Sequence, residues 1–200
     1  MCPNSWDDKY GQQEFFYGKE PNTFLVENQN YFFKGARVLC LGEGEGRNSV
    51  YLASLGAEVT AVDGSSRGLD KLKLLANEKN VAVKAIHADL KDFKIEPLSW
   101  DFIISIWCHL PGDLRKKVFM SAEAGLVSGG YFILEAYTPK QLQFGTGGPK
   151  DLDLLMNKGK ILQELPKLEI IEIEEIERVI REGVGHNGMS AVIQLVARKA

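Results

Sequence analysis

Residues 38–47, Val-Leu-Cys-Leu-Gly-Glu-Gly-Glu-Gly-Arg, limit the folds open to this chain more than any other stretch. An apolar run, Val38 to Leu41, passes directly into Gly42, Gly44 and Gly46, and a helix-compatible segment, Arg47 to Leu55, follows. Strand, glycine loop, helix is how an α/β sheet brings its backbone close to a nucleotide-like ligand, because glycine has no Cβ and tolerates positive φ. The same sequence of elements also serves simply to turn a chain. A dinucleotide fingerprint reads G-x-G-x-x-G. Here the pattern is G-x-G-x-G, and Arg47 stands where the third glycine would be. The next apolar run, 58–62, ends in Asp63. An acid about 20 residues past the loop is placed to accept hydrogen bonds from ribose hydroxyls. It equally suits the acid ahead of a helix opening at Gly64-Ser65-Ser66.

Downstream, strands and helices alternate, which predicts a mostly parallel sheet with helices on both faces. Strands are expected at 37–41, 57–62, 81–86, 101–107 and 131–136, and helices at 47–55 and 66–80. Ser65 is the cap of the second helix, with Leu69, Leu72, Leu75 and Ala76 as its buried stripe. Leu114, Val118, Ala122 and Leu126 recur at helical spacing, and 151–165 reads as a helix ending before Pro166. Segment 169–181 fits either a helix or a strand. Its isoleucines favour a long curved strand paired with 190–198 through the glycine-rich turn 183–188. The aromatic-rich segment 1–33 is expected either to cap the ligand site or to cover one edge of the sheet.

Together these motifs resemble class I S-adenosylmethionine-dependent methyltransferases, and among them the small tellurite-resistance and thiopurine-methyltransferase-like enzymes. The resemblance covers nearly the whole chain. It rests on Gly42-Glu-Gly-Glu-Gly46, Val62-Asp63, His87-Ala-Asp89-Leu90, the strand motif 101–110, the turn Leu126-Val-Ser-Gly-Gly130 and the closing segment 190–199. It implies one domain with a cap (1–33) and a Rossmann-like core (34–200). The core would be a doubly wound, seven-stranded, mostly parallel sheet with an antiparallel C-terminal strand. It further implies S-adenosyl-L-methionine as methyl donor and S-adenosyl-L-homocysteine as product.

The implied donor site comprises Gly42, Glu43, Gly44, Gly46 and Arg47 in the loop, and Asp63, Gly64 and Ser65 after the second strand. Ala88, Asp89 and Leu90 lie beside the adenine, Ser105 and Ile106 end the fourth strand, and Pro21 and Asn22 come from the cap. Cys40 departs from the family, which often has an acid there to meet the methionine ammonium; Glu43 is a substitute from the loop. Arg47 would pair with the donor carboxylate or with Glu45, or be solvated. Asp89 would take the adenine amine or be a solvated turn acid.

On the acceptor side His109 leads, lining the pocket or acting as base; its alternative is a satisfied structural histidine. Tyr137, with Glu135 and Thr138, either faces the same crevice or satisfies its loop. His186 and Arg115 are further candidates, the leading alternative for Arg115 being a solvated position on its helix, and Trp107 with the N-terminal aromatics would form an apolar wall.

A net charge of −3 provides no basic footprint for nucleic acid or anionic membrane. An apolar content of 44% is dispersed rather than gathered into a membrane span. Cys2, Cys40 and Cys108 show no C-x-x-C spacing and, with no leader pattern, suggest a cytoplasmic, reduced and metal-free protein. The expected partner is therefore a small-molecule acceptor, with thiol and chalcogen compounds as the leading classes, and the oligomeric state stays open. A non-catalytic S-adenosylmethionine-binding protein and a nicotinamide-dependent oxidoreductase are the alternatives.

Overall fold

A computed structural model describes residues 4–200, so Cys2 lies outside the described residues. The sheet holds seven strands: β1 (Arg37–Leu41), β2 (Glu58–Asp63), β3 (Val83–His87), β4 (Trp100–Ile106), β5 (Leu126–Tyr137), β6 (Leu168–Glu182) and β7 (His186–Lys199). Their order is β3-β2-β1-β4-β5-β7-β6. Neighbours among β1 to β5 run parallel, whereas β7 is antiparallel to both β5 and β6. The chain winds outward from β1 to β3, then returns to lay β4 on the other side of β1. That reversal leaves a crevice beyond the carboxyl ends of β1 and β4, where open α/β sheets bind ligands.

Alternation along β1 explains why the sheet is covered on both faces. Val38 and Cys40 pack with Leu52, Phe102, Ile104 and the cap residues Phe24 and Leu25. Leu39 and Leu41 point the other way, onto Ile103, Val118, Phe119 and Ile161. Each large side chain so buried contributes roughly 1.5–3 kcal/mol. Six α-helices accompany the described strands: α1 (Asn4–Tyr10), α2 (Thr23–Glu27), α3 (Arg47–Ser54), α4 (Ser66–Glu78), α5 (Gly112–Gly125) and α6 (Lys158–Glu164). Ser65 caps α4 as expected, its Oγ accepting from Gly68 N at 3.0 Å.

Two boundaries differ from the sequence reading. Leu126 opens β5 rather than closing a helix. Helix α5 stops at Gly125, where a Cβ would lie 2.5 Å from Ile95, and Leu126 turns extended to pair with Trp100. Segment 151–165 is broken, with a 3₁₀ turn at Leu152–Leu154 and α6 beginning only at Lys158. Between them Met156 N donates to Tyr137 O at 3.0 Å, and Leu155 and Met156 are fully buried. A tertiary bond to β5 has displaced a helical one. The 169–181 segment is the long strand expected, and its hairpin turn is only residues 183–185.

The described part of the N-terminal segment divides between two places. Tyr10 and Tyr17 lie by the glycine loop, whereas Tyr31 and Phe32 pack on Tyr131 and Phe102 of the sheet. Among the described residues no helix is long and apolar enough to cross a membrane.

Candidate active site

The glycine loop leaves β1 with Gly42, Gly44 and Gly46 at φ of 62°, 62° and 90°, conformations that L side chains rarely adopt. A Cβ on Gly46 would meet Leu72 Cγ at 2.4 Å, so the start of α3 is pressed onto α4. Gly46, as the residue before α3, has no side chain to cap it. Glu43 substitutes, accepting from Ser49 N at 2.6 Å. Burial pushes its carboxyl up to about 7 against that hydrogen bond. One Glu43 oxygen is thus committed to the helix.

Asp63 ends β2, buried, and each of its oxygens takes one backbone amide: Gly44 N at 2.8 Å and Ser65 N at 2.7 Å. Burial raises its pKa, and the two amides oppose that rise. A carboxylate has about four acceptor sites. Two therefore remain for hydroxyl donors, beside a loop whose backbone can be approached closely. The residues present fit a ribose-bearing ligand. Gly64 has open space where a Cβ would be, and Ser65 Oγ donates to Asp7 of α1 at 2.5 Å. Ala88 N is bonded to Asp63 O at 3.0 Å, which holds the 88–90 turn against the acid. Asp89 is exposed and accepts from Lys91 N at 2.9 Å; that amide leads the causes lowering its pKa. Leu90 is half-buried, and Ser105 and Ile106 are buried at the end of β4.

Over the loop lies a roof from two places in the chain. Tyr10 fills the space a Gly44 Cβ would need, its hydroxyl 2.6 Å from that point. Tyr17 N donates to Glu45, which also binds Lys71 Nζ at 2.7 Å. The hairpin tip joins this segment through Val184 N to Phe16 O at 2.9 Å.

Beneath the roof sits a buried polar network. Asn22, which caps α2, donates from Nδ2 to Glu135 at 2.6 Å and to Glu182 at 2.9 Å. Pro21 precedes it, half-buried. Glu135 is also held by Arg178 and by Gln194. Glu182 Oε2 accepts from Arg47 at 2.6 Å, from Trp107 Nε1 at 2.8 Å and from His186 Nδ1 at 3.4 Å. Burial alone would raise the Glu182 pKa; His186 and Arg47 instead hold it down at about 2. Two expectations are corrected here. Arg47 is buried against Glu182, neither solvated nor on Glu45, because Lys71 has taken Glu45. Arg115 is 1% exposed, forked onto Glu164 and bonded to Asp153 O, where its helix faces the 151–164 segment instead of water.

Next to the network is an aromatic cluster at the exits of β4 and β5. Trp107 stacks on Tyr137 with centroids 4.5 Å apart, His109 stacks on Tyr137 at 5.6 Å, and His186 lies 4.4 Å from Tyr17 and 4.8 Å from Trp107. Trp107 has φ of 57°, a strained conformation for a bulky residue costing on the order of 1–3 kcal/mol. His109 Nδ1 lies 2.9 Å from Leu154 O. A carbonyl only accepts, so Nδ1 carries the proton and Nε2 a lone pair. Nε2 and the Tyr137 hydroxyl are both buried without a hydrogen-bond partner. Burial lowers His109 to about 4 and raises Tyr137. Thr138, by contrast, is tied to Ala191 O through its amide.

The structure thus brings the loop, Asp63, Ser65 and the 88–90 turn to one side of the crevice. His109, Tyr137 and His186 gather on the other. Sequence reasoning missed Asp7 and Glu182. Glu182 had a faint signal: an acid directly before a Gly-Val-Gly turn, with a histidine just after it.

Comparison with known proteins agrees with this geometry. A family profile described as "Methyltransferase domain" matches residues 38–130. The chain is 26% identical over 133 residues to the probable S-adenosyl-L-methionine-dependent methyltransferase TehB of Haemophilus influenzae, covering 64% of this chain and 46% of that protein. It is 28% identical over 161 residues to a ubiquinone biosynthesis O-methyltransferase of Xanthomonas campestris, covering 78% and 66%. The crystal structure of TehB from Haemophilus influenzae superposes with a TM-score of 0.73 at 20% identity, over 99% of this chain and 67% of that one. Residues 38–130 thus match a methyltransferase domain, and the whole chain shares the fold of an S-adenosylmethionine-dependent methyltransferase. The chain spans about half the length of the curated TehB it matches, 46%.

Proposed function

We propose that this protein transfers a methyl group from S-adenosyl-L-methionine to a small, uncharged acceptor, with a thiol as the preferred class. The observation that carries the donor half is Asp63, buried at the end of β2 with two acceptor sites to spare beside the glycine loop. Asp63 would hold the ribose hydroxyls, and Gly42, Glu43, Gly44 and Gly46 would flank the methionine portion. Gly64, Ser65, Ala88, Asp89 and Leu90 would border the nucleoside, with Asp89 offered to the adenine amine. Ser105, Ile106, Pro21 and Asn22 would close the methionine end. Arg47 serves indirectly, fixing the roof through Glu182. When bound, the donor supplies an electrophilic methyl on a sulfonium.

The chain's own contribution is then positional. Rigid placement of two reactants can supply roughly 7–11 kcal/mol of barrier reduction. The roof excludes water, and the rings of Trp107, Tyr137 and Tyr17 give a neutral sulfur favourable contacts of about 0.3–1.5 kcal/mol each. His109 Nε2 and the Tyr137 hydroxyl are an acceptor and a donor left for the substrate. The nearby cations are already neutralised, Arg47 by Glu182 and Arg178 by Glu135, which weighs against an oxyanion acceptor. The names of the relatives leave the acceptor atom open, since one is an O-methyltransferase.

The test is incubation with S-adenosylmethionine and a panel of uncharged thiols, phenols, amines, and selenite, read by mass spectrometry. Methylated thiol with matching S-adenosylhomocysteine is the expected result. Transfer to selenite alone would overturn the acceptor class, and no transfer to any member despite donor binding would favour the non-catalytic alternative.

A further inference from the structure

The two residues that close the β6–β7 hairpin, Glu182 and His186, face each other as its last paired rung. We propose that they act as a proton-accepting pair, with His186 Nε2 taking the proton of the acceptor's X–H group and Glu182 positioning the imidazole. This rests on the methyltransferase reading and adds to it a base that the relatives' names do not specify.

Three observations support the assignment. Glu182 can only accept when ionised, so His186 Nδ1 carries the hydrogen between them and Nε2 is left with its lone pair. No protein group hydrogen-bonds to His186 Nε2 among the described residues. Second, the carboxylate is rigid: Arg47, Trp107 and Asn22 all donate to it, from α3, the β4 exit and the start of α2. A carboxylate clamped from three elements orients its histidine as a triad acid does. Third, the imidazole lies among Tyr17, Trp107 and Tyr137, with centroids 4.4, 4.8 and 5.3 Å away, in the aromatic cluster proposed to face the acceptor.

His109 is less suited to this step. Its orienting partner is a neutral carbonyl, which supplies no charge to balance an imidazolium. Glu182 does supply one, and the 3.4 Å contact has room to shorten when the ring becomes charged.

The step balances as follows. The acceptor's X–H bond breaks, its proton goes to Nε2, and its electron pair forms the X–CH₃ bond. The donor's S–CH₃ bond breaks with its pair left on sulfur, and the imidazolium later returns the proton to water. Other charged or titratable groups around His186 are Arg47 at the head of α3, Lys9 on α1, Tyr17 in the roof, Tyr137 and Glu135 on β5, and His109 beyond β4. Burial and Arg47 disfavour the charged ring, and Glu182 favours it.

The experiment compares wild type and His186→Gln with two thiols, 2-mercaptoethanol, which is weakly acidic, and 4-nitrothiophenol, already a thiolate at neutral pH. The expected loss is about 10²–10⁴-fold in kcat for the weak acid and little for the thiolate, with donor binding by calorimetry unchanged. Added imidazole should partly restore His186→Ala. Equal losses for both thiols, or none, would overturn the pair while leaving methyl transfer intact. Failure of the methyltransferase reading would instead appear as wild type lacking both donor binding and transfer. Independently of turnover, ¹⁵N spectra of histidine-labelled protein without donor should show His186 protonated at Nδ1 and sensitive to Glu182→Gln. Protonation at Nε2 instead would also overturn the pair.

Discussion

Asp63 and His109 illustrate how one buried group gains a role from what its neighbours leave undone. Asp63 keeps two acceptor sites because its amide partners take only one each. His109 keeps a lone pair because Leu154 O fixes its other nitrogen. The histidine also carries a stability signature. Its pKa falls from 6.5 to about 4, so the folded state resists a proton that the unfolded chain accepts. Its contribution is complete above pH 6.5 and fades as pH falls toward 4, on the order of 3 kcal/mol in all. Urea unfolding of wild type and His109→Asn across that window should show wild type losing more stability than the variant; parallel curves would contradict the assignment. At Gly44, alanine should both strain a φ of 62° and displace Tyr10. A lowered Tm together with weaker donor binding is expected, read by calorimetry.

Elements were legible in the sequence where local pattern and tertiary demand agreed. The glycine loop, the Ser65 cap and the alternating burial of β1 all follow from composition and period. The acid-rich β6 was legible as a strand from its β-branched isoleucines; Ile170 and Ile173 join one core cluster and Ile176 and Ile180 another, whereas Glu169, Glu172, Glu174, Glu175 and Glu177 are exposed. Segment 151–165 was not legible. Its helical spacing could not reveal that Met156 bonds to β5 or that Asp153 accepts from Gly112 N. Arg115 was misread for the same reason, since its partner Glu164 lies far along the chain and spacing reports only local neighbours. That ion pair joins α5 to α6 and includes none of the donor-site residues. Arg115→Ala should therefore cost about 3–5 kcal/mol in urea unfolding, as expected when a buried carboxylate loses its partner. Donor affinity should be unchanged, and a loss of affinity without loss of stability would show that the ion pair serves the site.

Across the whole molecule, the crevice is built by three distant stretches: the loop after β1, the segment through Asn22, and the β6–β7 hairpin. Glu182, on the hairpin, is joined to the other two by Arg47 and Asn22, and to the β4 exit by Trp107. Such long-range joining is invisible to spacing, which is why the glycine loop was legible and the roof was not. If the roof closes on ligand, trypsin cleavage after Lys9 and Lys19 should slow when S-adenosylhomocysteine is added; unchanged cleavage would contradict closure. The central claim, that this domain holds S-adenosylmethionine through Asp63 and the glycine loop, is tested most directly by titrating the donor calorimetrically into wild type and Asp63→Ala. Wild-type binding that weakens by roughly 1.5–3 kcal/mol in the variant is the predicted result. No binding by the wild type, or equal binding by both, would contradict it.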